Sequence, residues 1–299
     1  MKILTLAQRL LFNTVRLETF DETNKPVGVG TSFVIAHELE GYGKELFLVT
    51  NKHVIEGGFT ANMYFTKVKN GAPDVGNPFF IRFDMFEWGW HGHPDPSVDI
   101  SIHPISWVFD LIDTSGISAF LMDLSTDIIV SPEQAEALDA VEEILFIGYP
   151  NGLYDGKNYV PITRRGTTAT PIGLDYDGFP VFLIDASVFP GSSGSPVFRH
   201  IPTIDGPSLA KLQLLGIVSS VFFRTESGTI QLRPAPTNVT ATVETREMID
   251  LGVVFKSHLI LETINAFWET HRDEAQQLRK FHRAMLERKV QRQTGGGRG

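Results

Sequence analysis

Three short segments, far apart in the sequence, carry side chains that can cooperate in nucleophilic chemistry. They are Leu48-Val49-Thr50-Asn51-Lys52-His53-Val54, Ser97-Val98-Asp99-Ile100-Ser101-Ile102 and Phe189-Pro190-Gly191-Ser192-Ser193-Gly194-Ser195-Pro196-Val197. A serine hydroxyl is a weak nucleophile until a base takes its proton. A histidine can be that base, and a carboxylate behind it fixes the tautomer and stabilises the imidazolium. Ser193, His53 and Asp99 supply the three groups. Glycine at 191 lets one backbone face approach a reacting group with no Cβ in the way. The order His, Asp, Ser is informative, because unrelated folds carrying these groups use different orders. An esterase elbow of the α/β-hydrolase kind is excluded by that order and by Ser195, which stands where the G-x-S-x-G pattern ends in glycine.

Such groups must be held at the ends of rigid elements. Thr14–Glu18, Thr31–Ala36, Glu45–Thr50, Ile144–Ile147, Val181–Ile184 and Gln213–Ser219 are short β-branched or apolar runs separated by Gly, Pro, Asn and Asp, which predicts strands and turns. Many short strands with few helical periods predict sandwiches or barrels rather than βαβ units. The exception is Ser131-Pro132-Glu133-Gln134-Ala135-Glu136-Ala137-Leu138, where Ser before Pro marks a helix start. It divides residues 1–130 from residues 141–256, with 131–140 as a linker helix. From 257 the pattern turns helical, with Leu261, Ile264, Trp268, Ala275, Leu278 and Met285 on one stripe. At 299 residues the chain is long enough for two compact units.

Zero cysteines remove disulfide scaffolds, thiol nucleophiles and Cys-type metal sites. The apolar run after Met1 is broken by Gln8 and Arg9, and no stretch reaches membrane-spanning length, so a cytoplasmic protein with no membrane contact is expected. The net charge of −9 is unevenly spread. Residues 271–299 hold eight Lys/Arg against three acids, leaving −14 on the other 270 residues. That body repels polyanions, which argues against nucleic acid, while the basic tail is suited to phosphate or an acidic partner.

The motifs, in this order, resemble those of trypsin-like (chymotrypsin-fold) serine peptidases, nearest to the cysteine-free bacterial branch that includes the HtrA proteases. Gly28-Val29-Gly30-Thr31-Ser32-Phe33, Ile147-Gly148-Tyr149-Pro150-Asn151-Gly152 and Leu215-Gly216-Ile217-Val218-Ser219 are similar to strand segments of that family, and the likeness spans about residues 12–256. The resemblance implies an all-β fold of two antiparallel β-barrels with the site between them, followed by a C-terminal helix. The first barrel would carry His53 and Asp99 and the second Ser193. It implies a serine endopeptidase acting on protein or peptide through an acyl-enzyme, with Ser193 as nucleophile, His53 as general base and then general acid, and Asp99 orienting His53. The amides of Gly191 and Ser193 would form the oxyanion hole, with no metal or organic cofactor. The alternative within the same fold is a catalytically impaired binding module.

Two positions depart from the family pattern: Ser192 where Asp or Asn is usual, and Ser195 where a second glycine is usual. Without that Asp, activation by pairing with a newly cut N-terminus is not expected. Alignment to the motif places Ser187 at the base of the pocket for the residue preceding the scissile bond (P1) and Ser219 and Val221 on its wall. With no carboxylate at the base, small or medium apolar P1 side chains are expected, since an unpaired cation is costly to bury. His91-Gly92-His93-Pro94-Asp95 reads as a solvated turn rather than a metal site, Arg164-Arg165-Gly166 as a charged turn, and Trp88 with Trp90 as packing. Residues 271–299 are expected to form a basic amphipathic extension that docks a regulatory partner.

Overall fold

The computed structural model describes residues 5–84, 86, 88–113, 116–199, 212–231 and 240–295. The chain opens with a short helix, α1 (Leu6–Leu10), whose start is a reciprocal cap: Thr5 Oγ1 accepts from the Gln8 amide and Gln8 Oε1 accepts from the Thr5 amide. Gln8, which breaks the apolar run in the sequence, is therefore a capping residue.

The N-terminal half then runs β1 (Thr14–Phe20), β2 (Pro26–Leu39), β3 (Gly43–Thr50), α2 (Lys52–Ile55), β4 (Thr60–Lys69), β5 (Ala72–Asp84), β6 (His91–Gly92), β7 (Ser101–Pro104), α3 (Ser106–Asp113), β8 (Ala119–Phe120) and β9 (Leu124–Ser125). These strands form one sheet in the order β5-β4-β1-β2-β3-β7-β6, with β8 on β4 and β9 on β2. A linking helix, α4 (Pro132–Glu136), starts where Ser131 and Gln134 cap each other and proline takes the first turn.

The C-terminal half contains β10 (Glu143–Gly148), β11 (Ile162–Thr168), β12 (Val181–Asp185), β13 (Pro196–Arg199), β14 (Gln213–Gln231) and β15 (Thr240–Lys256), closed as a barrel in the order β10-β11-β12-β15-β14-β13. Each of the six runs read from the sequence lies inside one of these strands. The fold is thus mainly β with a C-terminal helix, as the resemblance implies; the second unit is a closed antiparallel barrel, whereas among the described residues the first is a nine-stranded sheet in which β9 pairs with β2 in parallel. The hairpin β14–β15 is the unforeseen part: its strands have 19 and 17 residues, against four to seven in the other barrel strands.

Alternation explains why the barrel strands are apolar on both faces. Ile144 and Phe146 of β10 join Phe182, Ile184, Val197, Leu215, Val218 and Val254 inside the barrel. Leu145 and Ile147 face the other way, into a core shared with Phe33, Phe47 and Val49 of the N-terminal sheet. A strand buried on both sides loses the polar-out alternation and reads as a continuous apolar run.

The same shared core receives α5 (His258–Gly295) through Leu259, Ile260, Ile264, Phe267 and Trp268, all buried. At about 1.5–3 kcal/mol for each large apolar side chain buried, this helix is integral to the fold. The expected stripe is turned slightly: Leu261 is only partly covered, and Ile260 and Phe267 take its place. Packing continues past Thr270, because His271 stacks on Phe267 at 5.1 Å between ring centroids and Ala275 borders the core. The side chains of Leu278, Phe281 and Met285 lie outside the described residues. Among the described residues, no helix is long and apolar enough to cross a membrane.

Candidate active site

Strand register brings His53 and Asp99 together. β3 pairs with β7 so that Thr50 faces Ser101. His53, three residues beyond Thr50, and Asp99, two before Ser101, therefore emerge at the same end of the sheet. His53 sits on α2, whose N-cap Asn51 spends its side chain on Asp99 rather than on the helix: Nδ2 donates to the Asp99 carbonyl at 2.7 Å. The His53 amide donates to Asp99 Oδ1 at 3.1 Å, and Nδ1 lies 2.6 Å from Oδ2.

Burial acts to raise the Asp99 pKa, but the His53 ring, the Ser219 hydroxyl and the His53 amide outweigh it and hold the carboxyl below its usual value. An ionised carboxylate can only accept, so His53 Nδ1 donates, and in the neutral form of the ring the lone pair is on Nε2. The His53 side chain is 46% exposed, open to whatever occupies the cleft.

Ser193 comes from the other half, on a turn clamped by Thr31 of β2. The Thr31 amide donates to the Ser193 carbonyl at 3.0 Å, and its hydroxyl donates to the Gly191 carbonyl at 3.1 Å while accepting from the Tyr149 amide. The approach is so close that a Cβ on Gly194, where φ is +85°, would lie 1.8 Å from the Thr31 carbonyl oxygen. Gly191 is also left-handed, with φ of +84°.

The peptide carbonyls before the two amides of interest are both engaged: Pro190 O accepts from the Asn151 amide and Ser192 O from the Ser195 amide. Because N–H lies anti to C=O across a trans peptide, the Gly191 and Ser193 amides point away from those partners. Among the described residues neither amide has a hydrogen-bond acceptor.

The two departures from the family pattern fit this turn. Ser192 is buried and closes the loop internally, its amide donating to the Phe189 carbonyl and its hydroxyl accepting from the Phe189 amide. Ser195 is fully buried, and its extra atoms fit because residue 148 is glycine: a Cβ there would lie 2.0 Å from Ser195 Oγ.

One residue placed on the pocket wall has a different role. Ser219 is buried; its hydroxyl donates to Asp99 Oδ2 at 2.7 Å, and its carbonyl accepts from Ser193 Oγ at 2.8 Å. It thus ties the barrel to Asp99 and, in this conformation, holds the Ser193 hydroxyl. The cause is a register shift between Val218 and Ser220 in the β14–β15 pairing, which re-aims the intervening side chain. Val221 is half-buried against the barrel core.

Ser187 is exposed, and its carbonyl accepts a hydrogen bond from Arg164, whose guanidinium lies 4.7 Å from the Phe189 ring centroid. Arg164-Arg165-Gly166 is not a turn but part of β11. Gly166 is required there by strand packing, since a Cβ would lie 2.4 Å from the Asp185 carbonyl oxygen. Asn51 and Thr31 lie inside the motif segments, yet their contacts, like the setting of Arg164, do not follow from residue type. Reading Ile162–Thr168 as a strand is the signal that would have separated Arg164 from Arg165 by face.

The loop at 91–95 is not simply solvated. His93 Nε2 lies 3.3 Å from Glu262 Oε2 on α5, and His91 packs on Phe267 and His271. Burial, with His271 and His103 adding to it, pushes His91 down to about 4. No three His, Asp or Glu among the described residues are placed to share a metal. Trp90 packs between Phe86 and His103, but Trp88 is exposed.

Residues 30–201 match the sequence profile of the trypsin-like peptidase domain. Among solved structures, the Rv3671c protease from M. tuberculosis in its active form is similar at 17% identity and a TM-score of 0.42, over 85% of this chain and 80% of that one. A thermostable serine protease, AL20, from an extremophilic microorganism is similar at 13% identity and a TM-score of 0.41, over 86% of this chain and 98% of that one. No curated protein matches the sequence.

Proposed function

The chain belongs to the trypsin-like peptidase domain family, and from that premise we propose that it is a serine endopeptidase using Ser193, His53 and Asp99. The observation that carries the proposal is the Asp99–His53 pair with a free Nε2, next to a serine turn whose two amides are unspent.

Ser193 Oγ swings about χ1 from the Ser219 carbonyl to His53 Nε2, a move between staggered rotamers. His53 takes the proton as Oγ attacks the scissile carbonyl, and Asp99 steadies the imidazolium. The new oxyanion lies between the Gly191 and Ser193 amides, where each donor is worth roughly 10²–10³ in turnover. His53 then protonates the leaving amine, and water repeats the sequence on the acyl-enzyme.

The hydrogen bond from Ser193 to Ser219 favours a second reading, a binding module with an impaired nucleophile. The unspent amides speak against it, because a collapsed turn would consume them internally. Cationic P1 side chains are disfavoured, since the charged group at Ser187 among the described residues is the Arg164 guanidinium. Incubation of a diverse peptide library with the wild-type protein should give cleavage products that disappear with Ser193→Ala. Products that persist in Ser193→Ala would refute the assignment.

A further inference from the structure

Five cations elsewhere in the molecule have carboxylate partners. Arg16 pairs with Glu18, Arg165 with Glu143, Arg199 with Glu142, Lys256 with Asp175 and Lys44 with Asp123. Arg164 differs. Among the described residues it has no carboxylate within ion-pair distance, although it is half-buried. Among the described residues it touches the Ser187 carbonyl and the face of Phe189.

A guanidinium has five N–H donors in a planar fork, so one backbone carbonyl leaves most of them unused. Leaving a partly desolvated cation without a counter-charge is unfavourable, and burial lowers its pKa. The fold therefore maintains an uncompensated cation at a defined place.

That place follows from strand register. Arg164 lies opposite Phe146 across β10 and β11, on the face that lines the barrel interior, whereas Arg165 lies opposite Leu145 and reaches Glu143 outside. Ser187 and Phe189 belong to the segment that leads directly into the Gly191–Ser193 turn. Ser187 is the residue that motif alignment puts at the base of the P1 pocket.

We infer that Arg164 is the P1 specificity determinant and that the enzyme cleaves after acidic residues, the substrate carboxylate pairing with the unused guanidinium donors. This rests on the serine-endopeptidase reading and replaces the apolar preference expected from Ser187, Ser219 and Val221. That expectation considered only the absence of a carboxylate at the base, and Ser219 has since been accounted for by Asp99. An acidic P1 side chain brings the missing counter-charge, and charge-assisted fork contacts are strong and directional. An apolar P1 side chain would leave the cation unpaired in a drier site.

The test uses the full chain and internally quenched peptides that differ only at P1, carrying Glu, Asp, Leu, Ala or Arg. The wild type should cleave Glu or Asp peptides faster than Leu peptides in kcat/KM, by about 10²-fold, the upper end of what one charge-assisted hydrogen bond supplies. Arg164→Met should collapse the Glu-to-Leu ratio toward or below one. Arg164→Lys should retain part of it, because the charge stays but the fork is lost.

The ratio is measured within each protein, so differences in yield do not enter, and the wild-type profile stands even if a variant does not fold. Ser193-dependent cleavage with no preference for Glu or Asp over Leu overturns this inference and leaves the endopeptidase reading standing. An acidic preference unchanged in a folded Arg164→Met protein overturns the role of Arg164. Absence of Ser193-dependent cleavage of every peptide overturns both readings.

Discussion

The two halves of the molecule bring different kinds of chemistry to the cleft. The N-terminal sheet provides side chains: the His53 ring, the Asp99 carboxylate and the Asn51 amide that ties Asp99 to the end of β3. The barrel provides the Ser193 hydroxyl on a shaped stretch of backbone: a turn whose carbonyls are clamped by Thr31 and whose amides at Gly191 and Ser193 are left over. Thr31 from the sheet and Ser219 from the barrel both reach across the seam. On one side the chemistry tolerates small shifts that a side chain can follow. On the other it depends on φ values and contacts that only glycine permits.

The largest losses are expected at the reacting side chains, His53 from the sheet and Ser193 from the barrel. Ser193→Ala or His53→Ala should lower peptide turnover by about 10⁴–10⁶-fold, with Asp99→Asn nearly as severe and the double variant scarcely worse than either single one. Steady-state kinetics with circular dichroism to confirm folding will decide this. Normal cleavage by Ser193→Ala would place the nucleophile elsewhere.

The backbone half should respond through stability as well as rate. Gly194→Ala puts a Cβ onto the Thr31 carbonyl in a left-handed conformation, which should cost roughly 2–5 kcal/mol in chemical denaturation from strain and overpacking together. A fully stable, active Gly194→Ala protein would show that the clamp is not as tight as described.

Ser219→Ala tests the seam from the barrel side. It removes one of the hydrogen bonds holding the Asp99 pKa down. A depressed carboxylate adds stability above its ordinary pKa, and that stability is lost as pH falls through the folded value. Raising the folded value in the variant should therefore make acid destabilisation begin at a higher pH than in wild type. Turnover should fall about tenfold, the size of one charge-assisted hydrogen bond, and Ser219→Thr should recover part of it. Identical acid-unfolding curves would mean that Ser219 does not act through Asp99.

The smallest effect is expected at Ser195. Its buried hydroxyl has no partner among the described residues, so Ser195→Ala removes an unsatisfied group and should be neutral or stabilising by up to about 1 kcal/mol, with activity retained. A dead Ser195→Ala protein would transfer importance from Ser193 to Ser195.

What could be read in the sequence follows the same division. His53, Asp99 and Ser193 were legible because their chemistry is a property of residue type and order. The strands were legible because β10, for example, carries an unbroken run of buried apolar residues. The role of Ser219 was not legible, since it arises from a one-residue register shift that composition does not encode. Nor was the setting of Arg164, where a glycine needed for close packing against Asp185 looked like a turn signal. Compensation of Ser195 by Gly148 joins residues 47 positions apart and becomes visible only when β10 and the nucleophile turn are side by side.

The central claim is that Ser193 is a nucleophile activated across the seam. Reaction of the intact protein with a fluorophosphonate, followed by peptide mass spectrometry, measures this without choosing a substrate. The account expects one phosphonylated residue, Ser193, with labelling abolished in His53→Ala and unaffected in Ser192→Ala. Label on Ser192 or Ser195, or none under conditions that label a control serine peptidase, would contradict it.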